Sequence, residues 1–301
     1  KVPNPEDPAA FTLAMKLADE VGADCIFGTD PDCDRVGIAV KDDEGKYYLM
    51  TGNQIGCLLM HYVLSGRKAA GTLPKNGAVV KSIVSTDMAK AIASAFGVET
   101  FDVLTGFKFI AEKIQQFEDT GSHEFLFGFE ESYGFLAGTF VRDKDAVIAS
   151  MLLAETAAWY KKQGMTLYEG LMALYEKYGF YSEKVTSFAL EGKDGLAEMV
   201  KLMANLRTGW PKELGGLAVK AVRDYKTGLR TEEDKQTKLD YPTSDVLFYE
   251  LEGGAWACIR PSGTEPKVKV YVNAVTDSAE KSAALTQKLL DDAVKLMKDH
   301  M

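Results

Sequence analysis

The sequence predicts a mainly parallel α/β layered domain followed by a smaller α+β domain. Up to about residue 179, strand-like and helix-like stretches alternate with few turns between strands, which is typical of a parallel sheet. After Gly179 several strand-like runs share only two helices, which is typical of an α+β domain. We expect boundaries at 1–44 for a leading unit, 45–179 for the α/β domain and 180–301 for the α+β domain.

The leading unit begins with a helix whose ends are marked by capping residues. Asp7 can cap it, Pro8 suits its first turn, and Gly22 follows its last apolar residue. Two short apolar runs, 23–27 and 36–40, then flank a polar loop. These runs predict two short strands joined by that loop.

The α/β domain is predicted from seven periodic stretches. Helices are expected over 55–64, 86–96, 107–117 and 145–162, and strands over 78–84, 98–103 and 125–129. In the α+β domain we expect strands over 181–190, 246–251, 255–260 and 268–272 and a helix over 196–206. Asp277 or Ser278 would cap a last helix that runs almost to the end, and the polar stretch 223–243 is predicted to be a long loop.

Composition excludes several classes of function. A net charge of −9 argues against general nucleic-acid binding, which needs a basic face to neutralise phosphates. No apolar run reaches the roughly 20 residues of a membrane span, so no membrane partner is expected. The four cysteines are scattered and form no C-x-x-C pair, which favours free thiols in a reducing cytoplasm.

An acidic loop follows the first predicted strand. Asp30, Asp32 and Asp34 occupy alternate positions, so their carboxylates can converge on one hard divalent cation. Arg35 could neutralise part of that charge or reach a phosphate. A solvated acidic turn is the simpler interpretation, and a phosphatase with Asp30 as nucleophile is a rival one. An EF-hand is disfavoured, because Arg35 stands where that loop has glycine and Lys41 where it has glutamate.

A second polar loop, 128–134, follows another predicted strand and contains Glu130 and Ser132. Carboxylates and a hydroxyl between glycines suit hydrogen bonding to vicinal sugar hydroxyls, and ligands of open α/β sheets bind beyond strand carboxyl ends. An exposed turn or a helix start explains this loop equally well. Lys108, in a T-G-F-K segment, is a further candidate for substrate binding, or else a surface lysine.

The segment Arg142-Asp143-Lys144-Asp145 places four charges ahead of a predicted helix. A helix cap at Asp143 or Asp145 beside solvated cations is one interpretation. A functional role for Lys144 is the other.

A phosphate-binding loop is predicted over 260–267, between two strands. Arg260 supplies a guanidinium, Ser262 and Thr264 supply hydroxyls, Gly263 allows close backbone approach, and Lys267 adds an ammonium. These donors can hold a phosphate dianion from several directions. The alternative is a tight polar hairpin.

The order of these loops resembles the α-D-phosphohexomutase family, which includes phosphoglucomutases and phosphomannomutases. The segments are D-x-D-x-D-R, T-G-F-K, G-F-E-E-S-Y-G, R-D-K-D and R-P-S-G-T-E-P, and the resemblance runs from Pro3 to the strand after Lys267. Pro31 and Cys33 depart from the family's usual Gly, Pro or Ala, while the carboxylates are intact. The flanks Phe129 and Tyr133 look more like bacterial phosphoglucomutases.

The resemblance implies a role for each loop. The 1–44 unit would be the end of the family's second domain, 45–179 its third and 180–301 its fourth. The acidic loop would bind Mg²⁺, with Arg35 beside the transferred phosphoryl group and Lys144 contacting phosphate or moving a proton. The implied metal ligands are Asp30, Asp32 and Asp34, and the implied substrate-binding residues are Lys108, Glu130, Ser132, Arg260, Ser262, Gly263, Thr264 and Lys267.

The implied reaction passes a phosphoryl group from an enzyme phosphoserine to a hexose phosphate through glucose 1,6-bisphosphate. The family's T-x-S-H-N-P serine motif does not occur in the sequence. Its nearest imitation, around Ser122, lacks Asn-Pro and is predicted to be a turn. We therefore expect the C-terminal portion of a mutase, inactive without the N-terminal domains of the same polypeptide. A non-catalytic sugar-phosphate-binding module and a phosphomannomutase are the alternatives.

Overall fold

A computed structural model describes residues 3–190, 195–262 and 265–301. The chain divides into two compact units, Lys1–Tyr178 and Gly179–Met301. The further division of the first unit near residue 44 stays a prediction.

The first unit begins with a short helix–sheet layer, as predicted. A 3₁₀ turn, Pro8–Phe11, leads into helix α1 (Thr12–Val21). Asp7 accepts a hydrogen bond from the Ala9 amide, and Gly22 closes α1 with a left-handed φ of 69°. Strands β1 (Cys25–Thr29), β2 (Val36–Lys41) and β3 (Tyr47–Leu49) form an antiparallel sheet in that order.

A second sheet carries the strand–helix alternation of the first unit. Its strands are β4 (Gly77–Ser82), β5 (Glu99–Val103), β6 (Glu124–Glu130) and β7 (Gly134–Leu136), and its helices are α2 (Gly52–Ala69), α3 (Met88–Ala95), α4 (Phe107–Thr120), α5 (Ala146–Lys162) and α6 (Leu167–Tyr178). The strand order is β5-β4-β6-β7, with β4 parallel to both β5 and β6 and only β7 antiparallel. Because parallel strands share an edge at their carboxyl ends, the loops after β4 and β6 are brought together there.

The ammonium of Lys81 on β4 is buried in an ionic cluster beside that edge. Lys81 has no exposed surface, and its Nζ lies 3.0 Å from Asp102 Oδ1 and 3.3 Å from Asp87 Oδ1. Lys90 Nζ lies 2.8 Å from Asp87 and 2.7 Å from Asp102, so two cations face two carboxylates. Burial alone would raise the pKa of Asp102, but the charges of Lys81 and Lys90 outweigh burial, so the net pKa is lowered.

In the part of the chain that the structure describes, the second unit is one antiparallel sheet with two α-helices. Its strands are β8 (Phe180–Ala189), β9 (Glu213–Leu214), β10 (Leu217–Asp224), β11 (Leu229–Glu232), β12 (Lys235–Lys238), β13 (Leu247–Leu251), β14 (Trp256–Pro261) and β15 (Lys267–Thr276), and its helices are α7 (Gly195–Asn205) and α8 (Ala279–Asp299). The order is β12-β11-β10-β13-β14-β15-β8, with β9 paired to β10. Ser278 caps α8, one of the two predicted residues.

The long loop predicted over 223–243 is wrong. This stretch begins at the end of β10 and holds the β11–β12 hairpin, paired from Leu229↔Lys238 to Glu232↔Lys235. β12 is the outermost strand of the sheet, and all four of its residues are exposed. It therefore shows no apolar alternation, which was the only basis for predicting a strand.

The core of the second unit lies between the sheet and its helices. It includes Leu202 and Met203 of α7, Val270 of β15, and Leu289 of α8, each at most 1% exposed. Among the described residues, no helix combines the length and apolar character that crossing a membrane requires.

Candidate active site

The acidic loop connects β1 to β2 within a tight antiparallel hairpin. The Asp30 amide donates to the Arg35 carbonyl at 3.3 Å, and the Cys33 amide donates to the Asp30 carbonyl at 3.1 Å. Cys33 has a left-handed φ of 57°, a conformation that costs a non-glycine residue about 1 kcal/mol. Its carbonyl accepts from the Ala146 amide at 3.1 Å, which ties the loop to the first residue of α5.

The three aspartates of the loop converge as their alternate spacing predicts. One oxygen from each of Asp30, Asp32 and Asp34 lies within 4.8 Å of the others. Carboxylate oxygens at this spacing suit a hard divalent cation such as Mg²⁺. The donor set therefore fits the metal that the family resemblance implies.

Asp30 is the most firmly held of the three carboxylates. It is 6% exposed, and its Oδ1 accepts from the amides of Asp34 at 3.2 Å and Arg35 at 3.1 Å. Its Oδ2 accepts from Arg35 Nε at 2.7 Å. Burial alone would raise the pKa of Asp30, but the backbone and side-chain hydrogen bonds from Arg35 outweigh it, so the pKa is lowered. Asp30 is thus fixed as an anion.

Asp34 is held from the opposite side by Lys144. The Lys144 Nζ lies 2.7 Å from Asp34 Oδ2 and 3.4 Å from Asp143 Oδ1. Burial raises the pKa of Asp34, and the neighbouring Asp30 carboxylate adds to this, although Lys144 opposes it. The pKa of Lys144 is raised in turn, because its two carboxylate partners outweigh burial. Two cations, Arg35 and Lys144, therefore share the charge of the acidic loop.

The R-D-K-D segment contains the helix cap that one of its two interpretations predicts. Asp145 caps α5, with its Oδ1 accepting from Val147 at 2.8 Å and Ile148 at 3.2 Å. Lys144 stands directly before this cap, and its functional role stays a prediction.

The segment 128–134, which covers the end of β6, the turn after it and the first residue of β7, is here called the glutamate loop and lies beside the acidic loop. Val36 donates its amide to the Tyr133 carbonyl at 3.2 Å, and Arg35 forms a β-bridge with Gly134. Gly52, at the start of α2, lies so close that an added Cβ would be 2.1 Å from the Glu131 carbonyl oxygen. Only glycine fits there, so the backbone at the start of α2 and the backbone of the glutamate loop are in close contact.

The two glutamates of this loop have separate partners. Glu130 is 8% exposed, and its Oε1 accepts from the Gly106 amide at 2.6 Å, which joins it to the T-G-F-K segment. Glu131 Oε2 accepts from Ser82 Oγ at 3.0 Å and from Ser85 Oγ at 3.4 Å. Glu131 Oε1 accepts from the Ser132 hydroxyl at 3.3 Å. The loops after β4 and β6 are therefore joined through Glu131.

Lys108 lies on the first turn of α4 and is exposed, with its Nζ 5.0 Å from the centre of the Phe109 ring. Among the described residues, no carboxylate of the acidic loop forms an ion pair with the Lys108 ammonium. Around Ser122, the predicted turn is present: Gly121 ends α4 with a φ of 62°, and Thr120 Oγ1 lies 2.9 Å from Ser122 Oγ.

In the second unit, the predicted phosphate loop joins β14 to β15. The Ser262 amide donates to the Lys267 carbonyl at 2.7 Å, and Arg260 Nη1 donates to Tyr271 Oη at 3.5 Å. A cavity of about 180 Å³ is lined by Arg260, Pro261, Ser262, Glu265, Lys267 and Lys269. Two predicted residues, Gly263 and Thr264, lie outside the described residues. Three cationic side chains and one carboxylate, that of Glu265 paired with Lys267 at 3.1 Å, line this small cavity, and the net positive charge suits an anion.

Three family models match successive parts of the chain. The phosphoglucomutase/phosphomannomutase domain II model matches residues 1–45, the domain III model 51–178 and the C-terminal domain model 191–286. The chain belongs to the α-D-phosphohexomutase family. Among bacterial relatives, the phosphoglucomutase of Staphylococcus aureus (strain MRSA252) is 41% identical over 272 residues, which cover 90% of this chain and 48% of that protein.

A second relative agrees with this assignment, and two solved structures share the fold. The phosphoglucomutase of Staphylococcus epidermidis (strain RP62A) is 40% identical over 96% of this phosphohexomutase chain and 51% of its own length. A phosphoglucomutase/phosphomannomutase family protein from Burkholderia thailandensis has a TM-score of 0.64 at 19% identity, covering 99% of this chain and 51% of that one. Parafusin, a phosphoglucomutase from Paramecium, has a TM-score of 0.66 at 16% identity, covering 98% and 50%. The chain spans about half the length of the curated relatives it matches.

Several contacts of this phosphohexomutase site were not predicted. Ser82 is the last residue of β4 and Ser85 lies three residues beyond it, and hydroxyls at the carboxyl end of a parallel strand are a usable indication of a site. Asn4 and Glu6, which contact Arg35, carried no such indication, because they lie before α1 and far from Arg35 in sequence.

Proposed function

We propose that this chain forms the metal-, sugar- and phosphate-binding part of an enzyme that interconverts glucose 1-phosphate and glucose 6-phosphate. The observation that carries the proposal is the convergence of three carboxylates within 4.8 Å, between the cations Arg35 and Lys144. Phosphoryl transfer depends mostly on positioning and charge neutralisation, which such a cluster supplies. The relatives at about 40% identity are phosphoglucomutases, which favours glucose over mannose.

In this proposal Asp30, Asp32 and Asp34 hold Mg²⁺. The metal, when bound, would stabilise the negative charge of the phosphoryl group during its transfer. Asp30 is anionic and hydrogen-bonded before any ligand arrives, so its position costs little reorganisation. Arg35 contacts the same phosphoryl group through its guanidinium, a planar donor set that matches phosphate oxygens.

Lys144 contacts phosphate or moves a proton at the sugar hydroxyl. Its ammonium is 2.7 Å from Asp34 Oδ2, so it lies beside the proposed metal and within the reacting region. Because the pKa of Lys144 is raised, it is a cation at neutral pH and serves first as a phosphate contact or a proton donor.

Glu130 and Ser132 are proposed to bind the sugar hydroxyls. Glu130 is anchored to the Gly106 amide, and Ser132 to Glu131, so both are fixed in advance. Lys108, being exposed, would add a contact to the sugar phosphate only when the ligand is bound. In the second unit, Arg260, Ser262, Gly263, Thr264 and Lys267 are proposed to bind a phosphate group that is not reacting.

The phosphoryl donor in this proposal is a phosphoserine that these residues do not include. Its phosphorus–oxygen bond breaks as a new one forms to the free hydroxyl of the hexose phosphate, which yields glucose 1,6-bisphosphate. The other phosphoryl group of that bisphosphate then returns to the serine. We propose that N-terminal domains of the same polypeptide supply this serine, and that the four free thiols reflect a reducing cytoplasm.

Two rival functions are less well supported. An aspartyl phosphatase would need Asp30 as nucleophile, yet both oxygens of Asp30 accept hydrogen bonds and the residue is 6% exposed. A non-catalytic sugar-phosphate-binding module would use the cavity at Arg260, but it would not explain why three carboxylates converge in the acidic loop.

The test is a coupled assay for glucose 6-phosphate formed from glucose 1-phosphate, catalysed by a polypeptide that joins this chain to a T-x-S-H-N-P domain. We expect Mg²⁺-dependent turnover that falls at least a hundredfold in Asp32→Asn. Asp32 is chosen because it is exposed and its loss leaves the Asp30–Arg35 contacts in place. The matched control is Asp42→Asn, in the β2–β3 turn. Phosphate release without isomerisation would instead support the phosphatase, and binding without turnover the module.

A further inference from the structure

The guanidinium of Arg35 is held at two of its three nitrogens. Its Nε donates to Asp30 Oδ2 at 2.7 Å. Its Nη1 donates to Glu6 Oε1 at 3.0 Å and to Asn4 Oδ1 at 3.4 Å. Among the described residues none accepts a hydrogen bond from Nη2, so the two contacted nitrogens determine where this free donor points.

The segment that contacts Nη1 is itself a fixed turn. Asn4 Oδ1 also accepts from the Glu6 amide at 3.1 Å, and the Asn4 carbonyl accepts from the Asp7 amide at 3.0 Å. Pro5 is buried, and its carbonyl oxygen lies so close to β2 that a Cβ added at Gly37 would be 2.4 Å from it. The carboxylate of Glu6 is therefore presented to Arg35 by a backbone with little freedom.

The electrostatic effect of Glu6 on anion binding is unfavourable. A carboxylate beside the arginine repels an incoming phosphate and shares the donors that phosphate would use. The geometric effect is favourable, because a long arginine side chain that is already ordered loses less freedom on binding. These two effects have opposite signs, so a single substitution separates them.

We propose that Asn4 and Glu6 are positioning residues that orient Arg35 so that Nη2 faces the phosphoryl group of the substrate. This inference rests on the proposed function for the identity of the anion. The orientation of Arg35 itself rests only on the contacts described above. Neither Asn4 nor Glu6 touches the reacting atoms.

The test compares Glu6→Ala with Glu20→Ala in the 301-residue chain. Both remove one exposed carboxylate from the same unit, but only Glu6 accepts a hydrogen bond from Arg35, and Glu20 lies on α1. Glucose 1-phosphate is titrated in the presence of Mg²⁺ by calorimetry, with Arg35→Lys as a reference for loss of the guanidinium. The second readout is the ¹⁵N relaxation order parameter of the Arg35 Nε–H bond, which needs no ligand.

We expect Glu6→Ala to weaken glucose 1-phosphate binding about three- to tenfold and to lower the Arg35 order parameter, at unchanged melting temperature. Glu20→Ala should change the affinity less than about twofold. Equal or tighter binding in Glu6→Ala would overturn the inference, because it is the result expected from charge removal alone. An unchanged order parameter would overturn it as well.

The two proposals can fail separately. If neither the native chain nor Arg35→Lys binds glucose 1-phosphate, the proposed function loses its support, while the order parameter still decides the orientation of Arg35. If the native chain binds through Arg35 and Glu6→Ala matches it in both readouts, the proposed function stands and the positioning role is refuted.

Discussion

Replacing Lys144 with methionine is expected to strengthen Mg²⁺ binding. The Lys144 ammonium lies 2.7 Å from Asp34 Oδ2, an oxygen that the metal would use. A Mg²⁺ ion bound about 2.1 Å from that oxygen would therefore be within about 5 Å of the ammonium. Their repulsion at this distance is about 1–2 kcal/mol even with the dielectric constant of water. Loss of the ammonium should thus lower the Kd for Mg²⁺ about five- to thirtyfold.

Calorimetric titration of the 301-residue chain with MgCl₂ measures this effect directly. Lys161→Met is the matched control, since Lys161 pairs with Asp24 at 2.7 Å on the surface, and its Kd should stay within about twofold of the native value. An unchanged or weaker Mg²⁺ affinity in Lys144→Met would refute the competition between the ammonium and the metal. It would show that the cation binds without using Asp34 Oδ2.

Three further predictions concern stability and phosphate binding. Lys81→Met should lower the free energy of unfolding by about 3 kcal/mol in urea denaturation, because it removes one of two cations from a buried cluster. His61 should make the first unit less stable in acid. Burial, with a smaller effect of Lys177, lowers the pKa of His61 in the folded chain to about 4. Between about pH 6.5 and pH 4 the histidine is therefore protonated in the unfolded chain but not in the folded one, which favours unfolding. Between pH 8 and pH 5 the loss should be about 1–2 kcal/mol, and it should vanish in His61→Phe. Arg260→Ala should weaken phosphate binding about tenfold, since it removes a charged donor from the cavity.

Each of these predictions has a matched control. Lys75→Met, an exposed lysine close to Lys81 in sequence, should change stability by less than about 0.5 kcal/mol. An equal effect of both lysine variants would contradict the importance of the ionic cluster. The loss of stability between pH 8 and pH 5 must be absent in His61→Phe. If it persists in that variant, other titratable groups cause it. Lys220→Ala removes an exposed charge from β10 in the same unit as Arg260. If Lys220→Ala and Arg260→Ala weakened phosphate binding equally, the effect would come from the net charge of the unit and not from the cavity.

Local patterning predicted most of the helices and strands. The helix over 145–162 and its acidic cap were correct because Asp145 precedes a long run of helix formers. The short strands β3 and β7, of three residues each, were missed because so few residues show no period. The β11–β12 hairpin was missed for a different reason, namely that its outer strand is polar on both faces.

The candidate site was predicted as far as its residues lie within one loop. Alternation along an extended chain is a local property, and it placed the three aspartates of the acidic loop together. The contact of Lys144 with Asp34 depends on how α5 docks on that loop through the Ala146–Cys33 hydrogen bond. Such docking joins residues far apart in sequence, and no local pattern reports it.

Glu131 illustrates the same limit. It was not among the predicted site residues, and its carboxylate accepts hydrogen bonds from Ser82, Ser85 and Ser132. The parallel pairing of β4 with β6 brings those serines to it. The residue that joins the two loops was therefore recognisable only in the folded chain.

The most direct test of the central claim is the anomalous diffraction signal of Mn²⁺ in crystals of this chain grown with glucose 1,6-bisphosphate. We expect one strong peak within about 2.0–2.4 Å of oxygens from Asp30, Asp32 and Asp34, with a phosphate group of the sugar beside Arg35. A metal peak elsewhere, with the acidic loop empty while the sugar phosphate is bound, would contradict the claim.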